Sequence, residues 1–299
     1  MATPTPGSRD YDAPNWGGSG SGRPRALLLG SGERPRVLAE SHRLRPLIEN
    51  HADLVLCDFS FDQDLEHVAA DFAVVLGGDG SIMRAARQLG TNQIPVFGVN
   101  LGKLGFLAAH LPSDFERDFP EVCAGRCRIV DHLMLQASVL RDGVVVHAER
   151  GLNELAILGG PPFAMLDIDL YVDSNLATTY SCDGLIISTP VGSTAHNLSV
   201  GGPILRNSLQ AFVISPISPH TLTVRPVVDR ADRVYELVVR EPRASTSAVV
   251  DGRVLCVVGA DDRVRVQRAD CQFRMIETGA QNYYQTLRDK LGWRGCIRQ

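Results

Sequence analysis

The chain reads as an α/β amino-terminal domain followed by a β-rich carboxy-terminal domain, with a final helix that returns to the first. Three observations carry that expectation. Short apolar runs alternate with helical stretches between Ala26 and Asn100, apolar residues fall at a period of two from about Asp131, and a three-to-four spacing resumes after Ala280. With 299 residues, 44% of them hydrophobic and 21% charged, the chain is long enough to bury the cores of two domains.

Residues 1–24 are expected to be a disordered tail. Met1–Arg25 holds five glycines and four prolines and hardly an aliphatic residue, too little to offset the entropy of ordering it. Its deletion is expected to leave turnover intact. Residues 25–125 form the α/β domain: Ala26–Leu29 is an apolar run, Arg34–Asn50 is helical in composition, and Leu54–Cys57 is apolar again. Phe72–Leu76 then reads as a buried strand, Ser81–Leu89 as a helix and Ile94–Asn100 as another strand. That order predicts an open parallel, Rossmann-like sheet, whose ligands sit beyond the carboxyl ends of its strands.

Residues 126–275 form the β-rich domain. Leu166, Ile168, Leu170 and Val172 alternate with Asp167, Asp169, Tyr171 and Asp173, the pattern of a strand with one wet face. Similar half-buried strands are read at Leu133–Leu140, Val144–Ala148, Val234–Val239, Arg253–Val258 and Arg263–Val266. In residues 276–299, Tyr283, Leu287 and Leu291 make one helical face, expected to pack back on the first domain.

A net charge of −4 gives no general attraction to nucleic acid or an anionic membrane, so phosphate binding must be local. Seven scattered cysteines without a CxxC pair argue against a disulfide framework or structural zinc and fit a reducing cytoplasm. Cys123 and Cys127 have a spacing a metal site uses, but no second pair completes it. No apolar run has the length of a membrane span, and the first residues lack the apolar core of a signal peptide.

The strongest local signal in the first half is Gly77-Gly78-Asp79-Gly80-Ser81, between a buried strand and a helix. Glycines there let a phosphate approach the backbone, the helix start offers free N–H groups, and Ser81 suits the N-cap. Such turns need glycine for packing about as often as for ligands. An acid in a phosphate-cradling loop is unfavourable, however, unless it serves a hydroxyl or a metal, so Asp79 points to phosphoryl transfer. Asn100–Leu107 brings Gly102 and Gly105 to the same end of the sheet, with Lys103 read as solvated.

Asn153 and Glu154 match a nucleoside, the amide pairing with adenine and the carboxylate with ribose hydroxyls, although loop or strand-end residues without function are the commoner explanation of such a pair. Asp183–His196 joins an acid, an apolar strand, a proline turn and Gly192-Ser193-Thr194, whose hydroxyls and amides are suited to lining a polar pocket. Gly201–Ile204 closes that segment with another tight turn. His220 reads as structural or surface, and Asp251-Gly252 as a hairpin turn.

Taken together, Gly77–Ser81, Asn100–Leu107, Asn153-Glu154, Asp183–Ala195 and Pro219–Pro226 resemble NAD kinases in identity, order and spacing. The resemblance runs from about Ala26 to Trp293, including a closing Tyr284–Trp293 that looks like the family's carboxy-terminal signature. It implies transfer of the γ-phosphoryl group of ATP to the adenosine-ribose 2′-hydroxyl of NAD, which binds between the domains of a cytoplasmic homodimer or homotetramer. It further implies that Asp79 acts on that hydroxyl. Asn153, Glu154, Asp183, Thr194 and Ala195 are implied to contact the dinucleotide, with Gly78, Gly80 and His196 in the same binding set. Mg²⁺ accompanies ATP, held by the phosphates, and no protein metal ligand is expected. Two departures stand out: His196 replaces the family's usual tyrosine, and Cys182 stands where a small residue such as glycine is usual.

Lipid kinases of the diacylglycerol or sphingosine type and phosphofructokinases share the Gly-Gly-Asp-Gly loop, but are not expected to carry Asn153-Glu154 together with Gly192–Ala195. A non-catalytic dinucleotide sensor on the same fold is the other alternative, opposed by the retention of Asp79. A dehydrogenase is weaker still, since the turn is not GxGxxG.

Overall fold

A run of four apolar residues, Ala26–Leu29, lies on a buried central strand, whose Ala26 and Leu28 share a core with Val37, Leu44 and Ile48. This strand, β1 (Arg25–Gly30), pairs with β2 (Asp53–Asp58) on one edge and with β3 (Phe72–Gly77) on the other. The computed structural model describes residues 14, 16, 22–102, 105–161, 163–221, 223–279 and 283–292. The chain divides into two units: Met1–Gln88, Ile94–Val130 and Arg274–Gln299 in the first, Leu89–Gln93 and Asp131–Phe273 in the second.

In the first unit, α1 (Pro35–His51) starts with proline at its first turn and buries Val37, Ser41, Leu44 and Ile48, one helical stripe. After β3 come α2 (Asp79–Gln88) and β4 (Val96–Asn100), which extends the sheet to β2-β1-β3-β4. The helix expected from Ser81 thus begins two residues earlier. Ser81 is no N-cap: it lies within the first turn and donates its N–H to the Gly78 carbonyl at 2.9 Å. Gly77, at φ +146°, makes that early turn, and a Cβ there would meet Ser81 Oγ at 2.2 Å. A further helix, α3 (Pro112–Cys123), was not read from the sequence, where Pro112 and Pro120 obscure the Phe115, Phe119, Val122 stripe. Those rings pack with Phe72 and Phe97 in the core.

Within the segment read as a tail, Trp16 makes contacts with the first unit. Its ring lies 5.2 Å from that of Phe72, and its Nε1 donates to Val122 O at 2.6 Å. Most of the expected tail lies outside the described residues.

The second unit is two sheets around one core. One sheet carries β5 (Arg128–Arg141) and β6 (Val144–Gly151) as a hairpin, with β8 (Leu166–Val172) and β9 (Asn175–Cys182) as another. The other contains β7 (Glu154–Leu158), β10 (Gly184–Ser188), β11 (Ala211–Ile217) and β12 (Val227–Arg230), with the short helix α4 (His196–Ser199) between β10 and β11. After these follow β13 (Tyr235–Val239), β14 (Ser247–Val250), β15 (Arg253–Val257) and β16 (Arg263–Glu277). The second sheet has the order β12-β11-β10-β7-β14-β15. Leu155, Ile157, Leu185 and Ile187 from it share a core with Leu135, Ile168, Leu170 and Tyr235 from the first. Asp251 at φ +48° and Gly252 at φ +77° form the two-residue turn between β14 and β15, as their sequence predicts. The last residues of β16 belong to the first unit, where Met275 pairs in parallel with Val96. There α5 (Tyr283–Leu291) buries Leu287 and closes the described chain. No helix among the described residues is long and apolar enough to cross a membrane.

Candidate active site

In the first unit the sheet collects Gly78, Asp79 and Gly80 just past the end of β3. The Asp79 carboxylate is held by the backbone of the loop that follows β4. Its Oδ1 accepts the backbone N–H groups of Leu107 and Ala108, both at 3.0 Å, and its Oδ2 accepts that of Phe106 at 2.8 Å. Oδ1 is thereby filled, while Oδ2 keeps one lone-pair direction for a hydroxyl. The loop carrying these amides is itself anchored. Buried Asn100 donates from Nδ2 to Ala108 O at 2.9 Å and accepts the Gly102 N–H at 2.7 Å. On its outer side, the Lys290 ammonium of α5 lies 4.7 Å from the centre of the Phe106 ring. Lys103 lies outside the described residues.

Gly78 and Gly80 have no atom within 4 Å of where a Cβ would stand, so their backbone is open. They line a cavity of about 150 Å³ together with Ser31, Glu33, Arg34, Ser81 and Arg84, two cations against one carboxylate. An uncrowded helix start flanked by two guanidinium groups suits phosphate oxygens.

The second unit assembles its residues by register. Because β7 runs antiparallel to both neighbours, its first residue meets the last of β10, Ser188 opposite Glu154, and Leu155 meets Val250 at the end of β14. One sheet end therefore holds Asn153, Glu154, the Thr189–His196 loop and Asp251. Thr189 ties loop to strand: its N–H donates to Asn153 O at 2.8 Å and its hydroxyl to Leu152 O at 2.6 Å. Gly192 must be glycine, since a Cβ would lie 2.1 Å from Asn153 O.

The hydroxyls of Ser193 and Thr194, read as suited to lining a polar pocket, are both bonded to nearby backbone. Ser193 is fully buried; its Oγ donates to Pro190 O at 2.6 Å and accepts the Leu205 N–H at 2.9 Å. Thr194 donates its hydroxyl to Val191 O at 3.1 Å. Short hydroxyl side chains in a tight turn reach the local backbone first. Thr194, Ala195 and His196 are nonetheless half-buried at this sheet end. Asp183 is exposed at the opposite end of β10, where Gly184 pairs with Leu158, so the strand keeps it apart from Glu154 within this chain. His220 is exposed and joined to Ser181 O through its backbone. Cys182 is buried in the core, where desolvation pushes its thiol up to about 11.

Glu154 is 7% exposed, and its Oε2 is buried without a hydrogen-bond partner. Burial first, and then the charge of Asp251, push its carboxyl up to about 8. Asp251, read from the sequence only as a turn residue, accepts the N–H groups of Leu152, Asn153 and Glu154. Nothing in the spacing signals that role, since these partners lie 97 to 99 residues away. Among the described residues no group of three His, Cys, Asp or Glu side chains is placed to hold a metal ion.

Residues 60–127 match the family described as ATP-NAD kinase N-terminal domain, and residues 152–278 the one described as ATP-NAD kinase C-terminal domain. The chain is 57% identical over 279 residues to an NAD kinase of Rhodopirellula baltica, covering 93% of this chain and 90% of that one. It is 37% identical over 251 residues to an NAD kinase of Geotalea daltonii, covering 84% and 88%. An NAD kinase from Archaeoglobus fulgidus, solved in complex with ATP, superposes with a TM-score of 0.70 at 26% identity, covering 90% of this chain and 97% of that one. A yeast NADH kinase solved with NADH has the same fold, with a TM-score of 0.79 at 19% identity over 92% and 89%.

Proposed function

The chain belongs to the ATP-NAD kinase family, and from that premise we infer that it phosphorylates the 2′-hydroxyl of the adenosine ribose of NAD with ATP, giving NADP and ADP. The observation that carries the chemistry is the Asp79 carboxylate, held by three amides with one acceptor direction left on Oδ2. A ribose hydroxyl donating into that direction is oriented by the carboxylate. As its oxygen bonds to the γ-phosphorus and the bond to the β–γ bridging oxygen breaks, its proton passes to Asp79. In a loose phosphoryl-transfer transition state that proton leaves late, so orientation is a large part of the role of Asp79.

The open backbone of Gly78 and Gly80, with Arg34 and Arg84, supports binding of donor phosphates. Asn153, Glu154, Thr194, Ala195 and His196 are proposed to hold the dinucleotide. The buried, unpaired Oε2 of Glu154 supports this, because such a group needs a hydrogen-bonding partner. Asp183 is retained as a dinucleotide contact on the family resemblance alone. Mg²⁺ would travel with the triphosphate and neutralise its charge, which fits a site whose acid is already occupied by amides.

We also infer a cytoplasmic homo-oligomer: the six cysteines among the described residues are free, and valines at 227, 228, 254 and 257 are exposed on the edge strands β12 and β15. The test of the function is a coupled assay for NADP formed from NAD, ATP and Mg²⁺, run beside Asp79→Asn. Turnover in the wild type that collapses in the variant supports the reading, and a wild type that neither binds nor phosphorylates NAD ends it.

A further inference from the structure

We propose that Asp251 is a positioning residue of the dinucleotide site, fixing through three backbone amides where Asn153 and Glu154 present their side chains. The proposal rests on the reading that these two residues contact NAD.

Asp251 Oδ2 accepts the Leu152 N–H at 2.7 Å, and Oδ1 accepts those of Asn153 at 2.8 Å and Glu154 at 3.1 Å. The Asp251 N–H returns a bond to Glu154 O at 3.0 Å. On the other side, Thr189 satisfies the carbonyls of Leu152 and Asn153. The backbone of residues 152–154 is therefore pinned from two strands, and the positions of the two side chains follow from it.

The hairpin by itself does not require this carboxylate. A two-residue turn with both φ positive is served as well by Asn-Gly as by Asp-Gly. A single amide oxygen, however, cannot replace two carboxylate oxygens that accept three N–H groups. Gly151 points the same way: a Cβ there would lie 2.9 Å from Val250 Cγ1 and 3.3 Å from Asp251 Oδ1, so glycine lets the turn approach closely. Beside this cradle stands the one buried carboxyl oxygen of Glu154 that has no protein partner, which marks the pinned segment as ligand-facing. The charge of Asp251 also helps hold Glu154 in its protonated form, able to donate as well as accept.

The test is NAD affinity, measured by calorimetry on the full chain, for wild type, Asp251→Asn, Asn153→Ala and the double variant, with steady-state constants alongside. The expected result is a tenfold or greater rise in Kd and KM for NAD in Asp251→Asn, with KM for ATP within twofold of wild type. In the double variant the two losses do not multiply, because both act on one contact. An unchanged NAD affinity in folded Asp251→Asn, an equal weakening of ATP, or fully multiplicative losses would each overturn the proposal. If Asp251→Asn does not fold, Asp251→Glu carries the same test: it keeps the charge and both oxygens one methylene further out, and the same NAD-selective weakening is expected. A wild type that fails to bind NAD defeats the underlying reading instead, a distinguishable outcome.

Discussion

A Cβ on Gly105 would lie 2.0 Å from Oδ1 of Asp79, so the second glycine of the Asn100–Leu107 loop is a requirement of the carboxylate's position. Gly105→Ala is expected to push the loop off Asp79 and lower kcat by about 100-fold, the order expected when a reacting group shifts by about 1 Å. The loss appears in NADP formation, while the far-ultraviolet circular dichroism stays native. A variant with wild-type kcat would separate the loop from catalysis.

Asp79→Asn keeps the shape but turns one acceptor oxygen into an amide facing an N–H donor. The expected fall in kcat is about 10²- to 10⁴-fold, the range for losing a positioned general base. NAD affinity should change little, and calorimetry beside kinetics checks both.

Glu154, raised to about 8, binds a proton in the folded protein that the unfolded chain gives up near its ordinary value of 4.5. Stability is therefore unaffected below about pH 4.5 and falls as pH rises toward 8. Relative to Glu154→Gln, the wild type should lose on the order of 4 kcal/mol across that window, measured by urea unfolding at a series of pH values. A flat difference would show that Glu154 is ionised in the folded state.

His132 behaves in the opposite sense. It is buried with Nδ1 unpaired, and desolvation lowers it to about 4, so it stays neutral in the fold while the unfolded chain gains a proton below about 6.5. The wild type should lose roughly 3 kcal/mol between pH 6.5 and 4. His132→Leu should remove that slope, and an unaltered acid limb would mean the ring is protonated in the folded protein.

Trp16 packs its ring on Phe72 and donates its Nε1–H to Val122 O. Trp16→Ala is expected to lower stability by about 2 kcal/mol through lost aromatic burial and one hydrogen bond, with kcat unchanged. Removing residues 1–23 should cost more than Trp16→Ala, because Arg23 and its hydrogen bonds to Glu49 O and Ala52 O go with it, whereas removing residues 1–12 should leave the melting temperature as it is. A fall in kcat in any of the three would give the segment a part in catalysis.

The parallel order of β1 to β4 and the alternation of β8 were legible because hydrophobic periodicity is a short-range signal. Strand β9 escaped because its first four residues are all exposed and show no alternation, and β14 because it spans only Ser247–Val250. α2 begins at Asp79 rather than at Ser81, since the Gly78 carbonyl already accepts the first helical bonds. Ser193 was expected at a ligand and is instead sealed into its own turn, a distinction that depends on where Leu205 lies.

The sequence by itself determined the α/β and β-rich halves, the family, the reaction and the acid in the Gly77–Gly80 turn, all of which are written in neighbouring residues. Tertiary structure alone decided what holds that chemistry in place. Asp79 is gripped by amides 27 to 29 residues further on, and residues 152–154 by an aspartate 97 to 99 residues away. Backbone N–H groups are the same at every residue but proline, so which of them a carboxylate finds leaves no mark in the order of side chains.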